Sequence, residues 1–245
     1  LFKVCWCSRT RNPKWVLEKL NKSTINGKGS RRNVNFHEDQ RIDPRFRSHL
    51  RDFRGSGFDR GHLAPAADFR CSQQAIENSF LLSNVSPQQG EGFNRGYWAR
   101  LEDFVRGLTD GGDDVYVVTG PLFLPVSDDT VGAATPWRMQ YPLLGSPPEL
   151  VAVPTHFFKV VLLDSGNGIN TSPAVAAFVL PNDKIDPRTP LTDFLVPIER
   201  LESAAGMVFF PRLLGGPDGG STRARVDEAA RKWMAAGSAG SAGTA

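Results

Sequence analysis

The run Gly57-Phe58-Asp59-Arg60-Gly61-His62-Leu63-Ala64-Pro65-Ala66-Ala67-Asp68 constrains this chain more than any other part of it. Read as extended backbone, it alternates faces. Arg60 and His62 then point the same way, and Asp59 points away, where it can fix a neighbouring loop or an arginine. Arginine presents a rigid fork of donors that matches phosphate oxygens and stays charged at any working pH. Histidine is the side chain best placed to take a proton from water near neutrality. Gly61 between them allows a close approach or an unusual backbone angle. The chemistry suggested is hydrolysis of a phosphodiester. Alone, Arg-Gly-His would read as an ordinary turn with a solvated histidine; the residues downstream of it change that.

Phe80 to Gln88 is an apolar, strand-like run ending in polar groups. Glu91-Gly92-Phe93-Asn94-Arg95 comes next, and then Tyr97, Leu101, Phe104 and Leu108 recur at helical spacing. Asn94 falls at the expected helix N-terminus, where asparagine is a favoured cap, and a plain cap is its bland reading. Glu102 lies two turns further along. An asparagine oxygen with a nearby carboxylate suits a hard cation such as Mg²⁺, which keeps most of its water. Asn94 would then bind directly, and Glu102 would hold one of the waters.

With these residues in place, the chain resembles the DNA/RNA non-specific endonucleases with a ββα-metal active site, and most of all their mitochondrial endonuclease G branch. The matching residues are Asp59-Arg60-Gly61-His62, Asn84 within Leu82-Ser83-Asn84-Val85-Ser86-Pro87-Gln88, Asn94 in Phe93-Asn94-Arg95, and Glu102 in Leu101-Glu102-Asp103. Val118-Thr119-Gly120-Pro121-Leu122-Phe123 and Val153-Pro154-Thr155-His156-Phe157-Phe158-Lys159 also match, so the likeness runs from about Arg9 to about Leu201. The resemblance implies that His62 is the general base, Asn94 the direct metal ligand and Glu102 the residue that positions metal water. Arg60 would support the transition state and Asn84 would orient the site. A second phosphate-binding arginine is implied near the N-terminus, with Arg11 and Arg31 as candidates, and Arg95 and Asp59 in support. Mg²⁺ is the implied cofactor, with Mn²⁺ as an alternative. A homodimer and a mitochondrial origin are implied, with a secreted or periplasmic protein as the rival location.

There are departures. Animal members of the branch commonly read Ala-Asn-His where this chain has Ala66-Ala67-Asp68, which is nearer to fungal mitochondrial nucleases. Asp59 argues against the exonuclease-like paralogues, which carry serine there. The chain starts at Leu1 without a methionine and lacks a segment that relatives carry upstream, which reads as a truncated or processed fragment. On this reading activity should fall below about pH 6.5, where an unperturbed histidine protonates. Sequence selectivity should be weak, because phosphate contacts position without specifying.

The 245 residues, 40% hydrophobic and 22% charged, suffice for one good-sized core, and residues 1–236 read as a single nuclease domain. Net charge is only +3, but the cations crowd the front, with Arg9, Arg11, Arg31, Arg32, Arg41, Arg45, Arg47, Arg51, Arg54 and Arg60 among them. That fits a polyanion footprint, against the alternative of a solvated surface. Cys5, Cys7 and Cys71 form neither a disulfide scaffold nor a zinc site, and Cys5 and Cys7 read as buried thiols on one strand face. No run is apolar enough to span a membrane, and no signal or transit peptide is visible.

The expected fold is α+β: a mainly antiparallel sheet core flanked by helices, with the ββα-metal element over about 55–108. Phe2–Cys7 and Trp15–Leu20 read as strands around an Arg11-Asn12-Pro13 turn, 21–32 as a loop, and 33–37 as a short strand. Ser72 should cap a helix through Asn78. Val115–Thr119, Phe157–Leu163 and Ala174–Leu180 read as strands, and Ser127–Trp137 as a loop. Ile198–Ala205 and Thr222–Ala236 read as helices, with a flexible tail over 237–245. His37 and His49 read as surface residues, His156 as structural, and the five tryptophans as core or interface. Two rival functions stand beside the nuclease. A phosphodiesterase on small substrates would show weak salt dependence. A catalytically inactive nucleic-acid binder would have no reason to keep His62, Asn94 and Glu102 together.

Overall fold

The computed structural model describes residues 2–127, 137–164 and 173–211. In chain order its elements are strands β1 (Phe2–Cys7) and β2 (Asn12–Leu20), helices α1 (Lys22–Ile25) and α2 (Leu50–Phe53), strand β3 (Phe58–His62), helix α3 (Gln73–Ser79), strand β4 (Val85–Gln89) and helix α4 (Ala99–Gly107). Strands β5 (Asp114–Leu122), β6 (Val126–Ser127), β7 (Trp137–Arg138), β8 (Leu143–Ser146), β9 (Glu149–Ala152), β10 (His156–Asp164) and β11 (Ala174–Pro181) come after it, then helix α5 (Ile198–Ala205).

The centre is a five-stranded sheet in the order β1-β2-β5-β10-β11, antiparallel at every pairing. Val117 and Phe157 send side chains to one face, where Trp98, just before α4, packs with Leu101 and Val105 of α4. Val118 and Phe158 face the other side, under Ile198 and Leu201 of α5. Because both faces are covered, β5 and β10 read as near-continuous apolar runs. The expected mixed architecture is therefore present; β1 has its expected bounds, and β2, β5, β10 and β11 run longer than the sequence suggested.

Several local expectations change. The first turn is Ser8–Arg11, with Arg11 at φ +50°, and Asn12 and Pro13 already belong to β2. The expected loop after Leu20 holds a helical turn, α1, which Asn21 closes with a capping box onto Thr24. The expected strand over 33–37 is a single bridge, His37 with Leu81. Ser72 does cap α3 through Ala75 N. Cys5 and Cys7 are half-buried rather than buried, Cys71 is exposed, and all three are free thiols. His49 is buried, not a surface residue, with Nδ1 3.1 Å from Glu38. The readings of a helix over Thr222–Ala236 and of a tail beyond it lie outside the described residues. No described helix is long and apolar enough to cross a membrane.

Beside the central sheet, β3 and β4 pair as an antiparallel ribbon, and β4 leads through Gly90–Trp98 into α4. This is the expected strand-strand-helix element. It presents one end of the ribbon and one side of α4 to a common cavity.

Candidate active site

His62 ends β3, and its backbone pairs with Val85 at the start of β4. Arg60 and His62 share a face, as alternation requires: both lie about 5.0 Å from the Phe36 ring. Gly61, on the opposite face, is a requirement of packing, since a Cβ there would sit 2.0 Å from Gln88 Oε1. Asn94 reaches the same place from a segment that is not regular helix. Glu91, Gly92 and Arg95 leave helical angles, with Gly92 at φ +79° against Lys184. Asn94 therefore caps nothing, contrary to the simple reading. Its amide nitrogen donates instead to Asp59 Oδ2 at 2.9 Å, which leaves Oδ1 as its remaining acceptor. Asp59 also pairs with Arg95 at 3.1 Å, so it fixes an arginine as expected, yet it lines the cavity rather than facing away. Glu102 approaches from α4.

These groups surround a cavity of about 480 Å³ lined by Arg31, Asp59, Arg60, His62, Asn94, Arg95, Glu102 and Arg106. Seven of the nine expected site residues are thus brought together. The other two are not cavity groups. Asn84 is fully buried and clips the chain just past His62. Its Oδ1 accepts from Ala64 N at 3.0 Å, and its Nδ2 donates to Ala64 O at 2.8 Å and Ser79 O at 2.9 Å. It ties down backbone beside the cavity and does not line it. Arg11 is buried with its guanidinium on the Leu150 and Arg45 carbonyls, so it holds the β1–β2 turn and leaves Arg31 as the N-terminal arginine at the site.

The electrostatics depend on burial. Loss of solvent, with Arg31 in support, pushes the His62 pKa down to about 3. The imidazole is then neutral well below pH 6.5. Burial pushes Glu102 up to about 7; Lys159 opposes this and Asp68 adds to it. Asp68 is itself buried and salt-bridged to Arg106 at 2.7 Å, and Arg106 also pairs with Asp103. Behind α4, the buried Lys159 donates to Thr119 Oγ1 at 2.8 Å, and burial followed by Asp68 raises the Glu18 carboxyl well above its usual range. Sequence reasoning passed over Arg106, Asp68, Lys159 and Glu18. Arg106 was within reach, since it lies one helical turn past Glu102 on the same face. The crowd of N-terminal cations is partly neutralised: Arg41, Arg45 and Arg51 pair with Asp39, Asp43 and Glu149.

The residues fit a divalent cation. Among the described residues no cluster of three or more His, Cys, Asp or Glu could cage a metal. A hard cation that keeps most of its water needs no such cage, only an oxygen such as Asn94 Oδ1 and a carboxylate for a coordinated water. Glu102, partly buried and raised to about 7, is a carboxylate that a nearby cation would return to its charged form.

An α+β fold whose ββα element converges arginine, histidine, asparagine and glutamate on one cavity is the architecture of the ββα-metal nucleases. The model of the DNA/RNA non-specific endonuclease family matches residues 1–215, and the chain belongs to that family. It is 50% identical over 207 residues to a nuclease of Syncephalastrum racemosum, covering 84% of this chain and 64% of the relative. It is 48% identical over 209 residues to the mitochondrial nuclease of Saccharomyces cerevisiae, covering 84% of this chain and 62% of the relative. The chain thus spans less than two thirds of the length of either protein. Among solved structures it is similar to the EndoG/EndoGI complex, at TM-score 0.79 and 39% identity over 85% of this chain and 82% of that chain.

Proposed function

We propose that this protein is a Mg²⁺-dependent endonuclease that hydrolyses phosphodiester bonds of DNA and RNA without sugar selectivity. The observation that carries the reading is the meeting of Arg60, His62, Asn94 and Glu102 on one cavity. His62, neutral because its ring is largely desolvated, accepts the proton of an in-line water; a positioned base of this kind contributes roughly 10²–10⁴-fold. Arg60 and Arg31 bind the phosphate oxygens and offset the charge that grows on them. Asp59 holds the Asn94 amide, and so its carbonyl oxygen, in place. Asn94 would hold the cation directly and Glu102 through a water, and the bound ion supplies charge neutralisation at the phosphate. Mn²⁺ should substitute for Mg²⁺ in such a site.

The mitochondrial names of several relatives support a mitochondrial location, and a homodimer with one catalytic domain is part of the same proposal. Those names lend no support to a secreted or periplasmic location. The test is digestion of supercoiled plasmid with Mg²⁺ or with EDTA, with His62→Ala beside wild type. Nicking that needs both the metal and His62 is expected. Wild type that binds DNA without cutting it would sink the proposal in favour of an inactive binder.

A further inference from the structure

Among the described residues no hydrogen bond aims the His62 ring. Its Nε2 is buried without a partner, and no carboxylate pairs with it among the described residues. Two phenylalanines grip it instead. Phe36 lies 5.0 Å away at a 45° tilt, and Phe80 lies 4.7 Å away, edge-on at 83°. The two rings are 4.9 Å from each other. The same rings carry the phosphate-facing cations, with Arg60 5.0 Å over Phe36 and Arg31 5.8 Å over Phe80. Both contacts are attractive, because the ring face is negative.

Backbone bonds lace this column together. His37 N donates to Phe80 O at 3.1 Å and Leu82 N to His37 O at 2.9 Å, which sets Phe36 beside Phe80. Leu63 N donates to Asn84 O at 3.0 Å, which ties the end of β3 to the same segment. The imidazole is therefore fixed by packing on elements that are themselves fixed.

We propose that Phe36 and Phe80 are positioning residues of the nuclease centre: they set the plane of the His62 imidazole and the stations of Arg60 and Arg31. They stand where other hydrolases use a hydrogen-bonded carboxylate to orient a general-base histidine. The proposal rests on His62 being the base. The two rings have separable effects. Phe80 is buried and touches the imidazole edge-on, so it governs orientation and the exclusion of water. Phe36 is half-buried beneath both Arg60 and His62, so it also governs how substrate phosphate is met.

The experiment is steady-state cleavage of an oligonucleotide across pH by wild type, Phe80→Leu, Phe36→Leu, Phe36→Tyr, His62→Ala and Phe158→Leu, with thermal melts of each. Phe158 belongs to the core on the opposite sheet face and controls for lost packing alone. Phe80→Leu should lower kcat roughly 10- to 100-fold with KM little changed, the scale expected when a reacting group is misplaced by about 1 Å. Its acid limit should move up toward 6.5 as water reaches the ring. Phe36→Leu should lower kcat and raise KM, and Phe36→Tyr, which keeps the ring, should restore both. Phe158→Leu should lower Tm without moving the acid limit. Should Phe80→Leu fail to fold, the half-exposed Phe36 pair decides the matter alone. Leucine variants with wild-type kcat and acid limit, or losses that only track Tm, overturn the clamp while His62→Ala remains inactive. An active His62→Ala, or an inactive wild type, overturns the reading of the site and the clamp with it.

Discussion

Asn84 shows how a residue can matter at an active site without entering it. Its amide satisfies Ala64 N, Ala64 O and Ser79 O, all inside the fold. Asn84→Ala leaves those groups buried and unpaired, so urea unfolding should show a loss of about 2–4 kcal/mol; a loss under about 0.5 kcal/mol would mean that the clip is not needed. His62 carries a second prediction. Its pKa falls from 6.5 in the unfolded chain to about 3 in the fold, so its contribution is intact above pH 6.5 and erodes as pH falls toward 3. Between pH 7 and 4, wild type should lose on the order of 2–3 kcal/mol more than His62→Leu, after discounting for partial exposure. Equal losses in the two proteins would show that the imidazole is not desolvated. At this scale the sequence was legible where residue type implies chemistry, as in Arg60 and His62. It did not reveal the partners of Asn94 and Arg11, because Asp59, Leu150 and Arg45 are remote in sequence.

Among the elements, α4 joins the site to the core. Trp98, Leu101 and Val105 face the sheet, while Glu102 and Arg106, one turn apart, face the cavity. The Glu102 carboxyl sits at about 7, above its unfolded value of 4.5, because burial disfavours its charge. Its stabilising effect is therefore full below about pH 4.5 and is lost as pH rises through 7. In metal-free buffer at pH 8, Glu102→Gln should be more stable than wild type by about 1–3 kcal/mol. It should also cut far more slowly with Mg²⁺ present. A variant no more stable than wild type would show that the Glu102 carboxyl is solvated. The helix itself was visible as a 3.6-residue repeat, but the irregular Gly90–Trp98 entry was not. Gly92 within it stands at φ +79°, where a Cβ would meet Lys184, and no local pattern records that approach.

Across the whole molecule, the net charge of +3 understates how the cations are placed. Those paired with Asp39, Asp43 and Glu149 are neutralised locally, whereas Arg31 and Arg60 face the cavity beside aromatic rings. DNA affinity should fall linearly in log–log form with salt, and Arg31→Met should reduce that slope by about 1. Arg11→Met should lower stability and leave the slope alone, because its guanidinium binds backbone carbonyls. A slope unchanged by Arg31→Met would remove Arg31 from the phosphate path, and a flat salt response in wild type would favour a small-substrate phosphodiesterase. The sequence by itself determined the class of fold, the order of the ββα element and most of the polar side chains that meet at its cavity. Each of these stems from side-chain chemistry and from periodicities of two and 3.6 residues, both local properties. Only the tertiary structure decided that Asn84 and Arg11 serve the scaffold, that Asp59 directs Asn94, and that Phe36 and Phe80 hold His62. Those outcomes depend on which remote segments exclude water from one another, and that is settled only when the chain closes on itself.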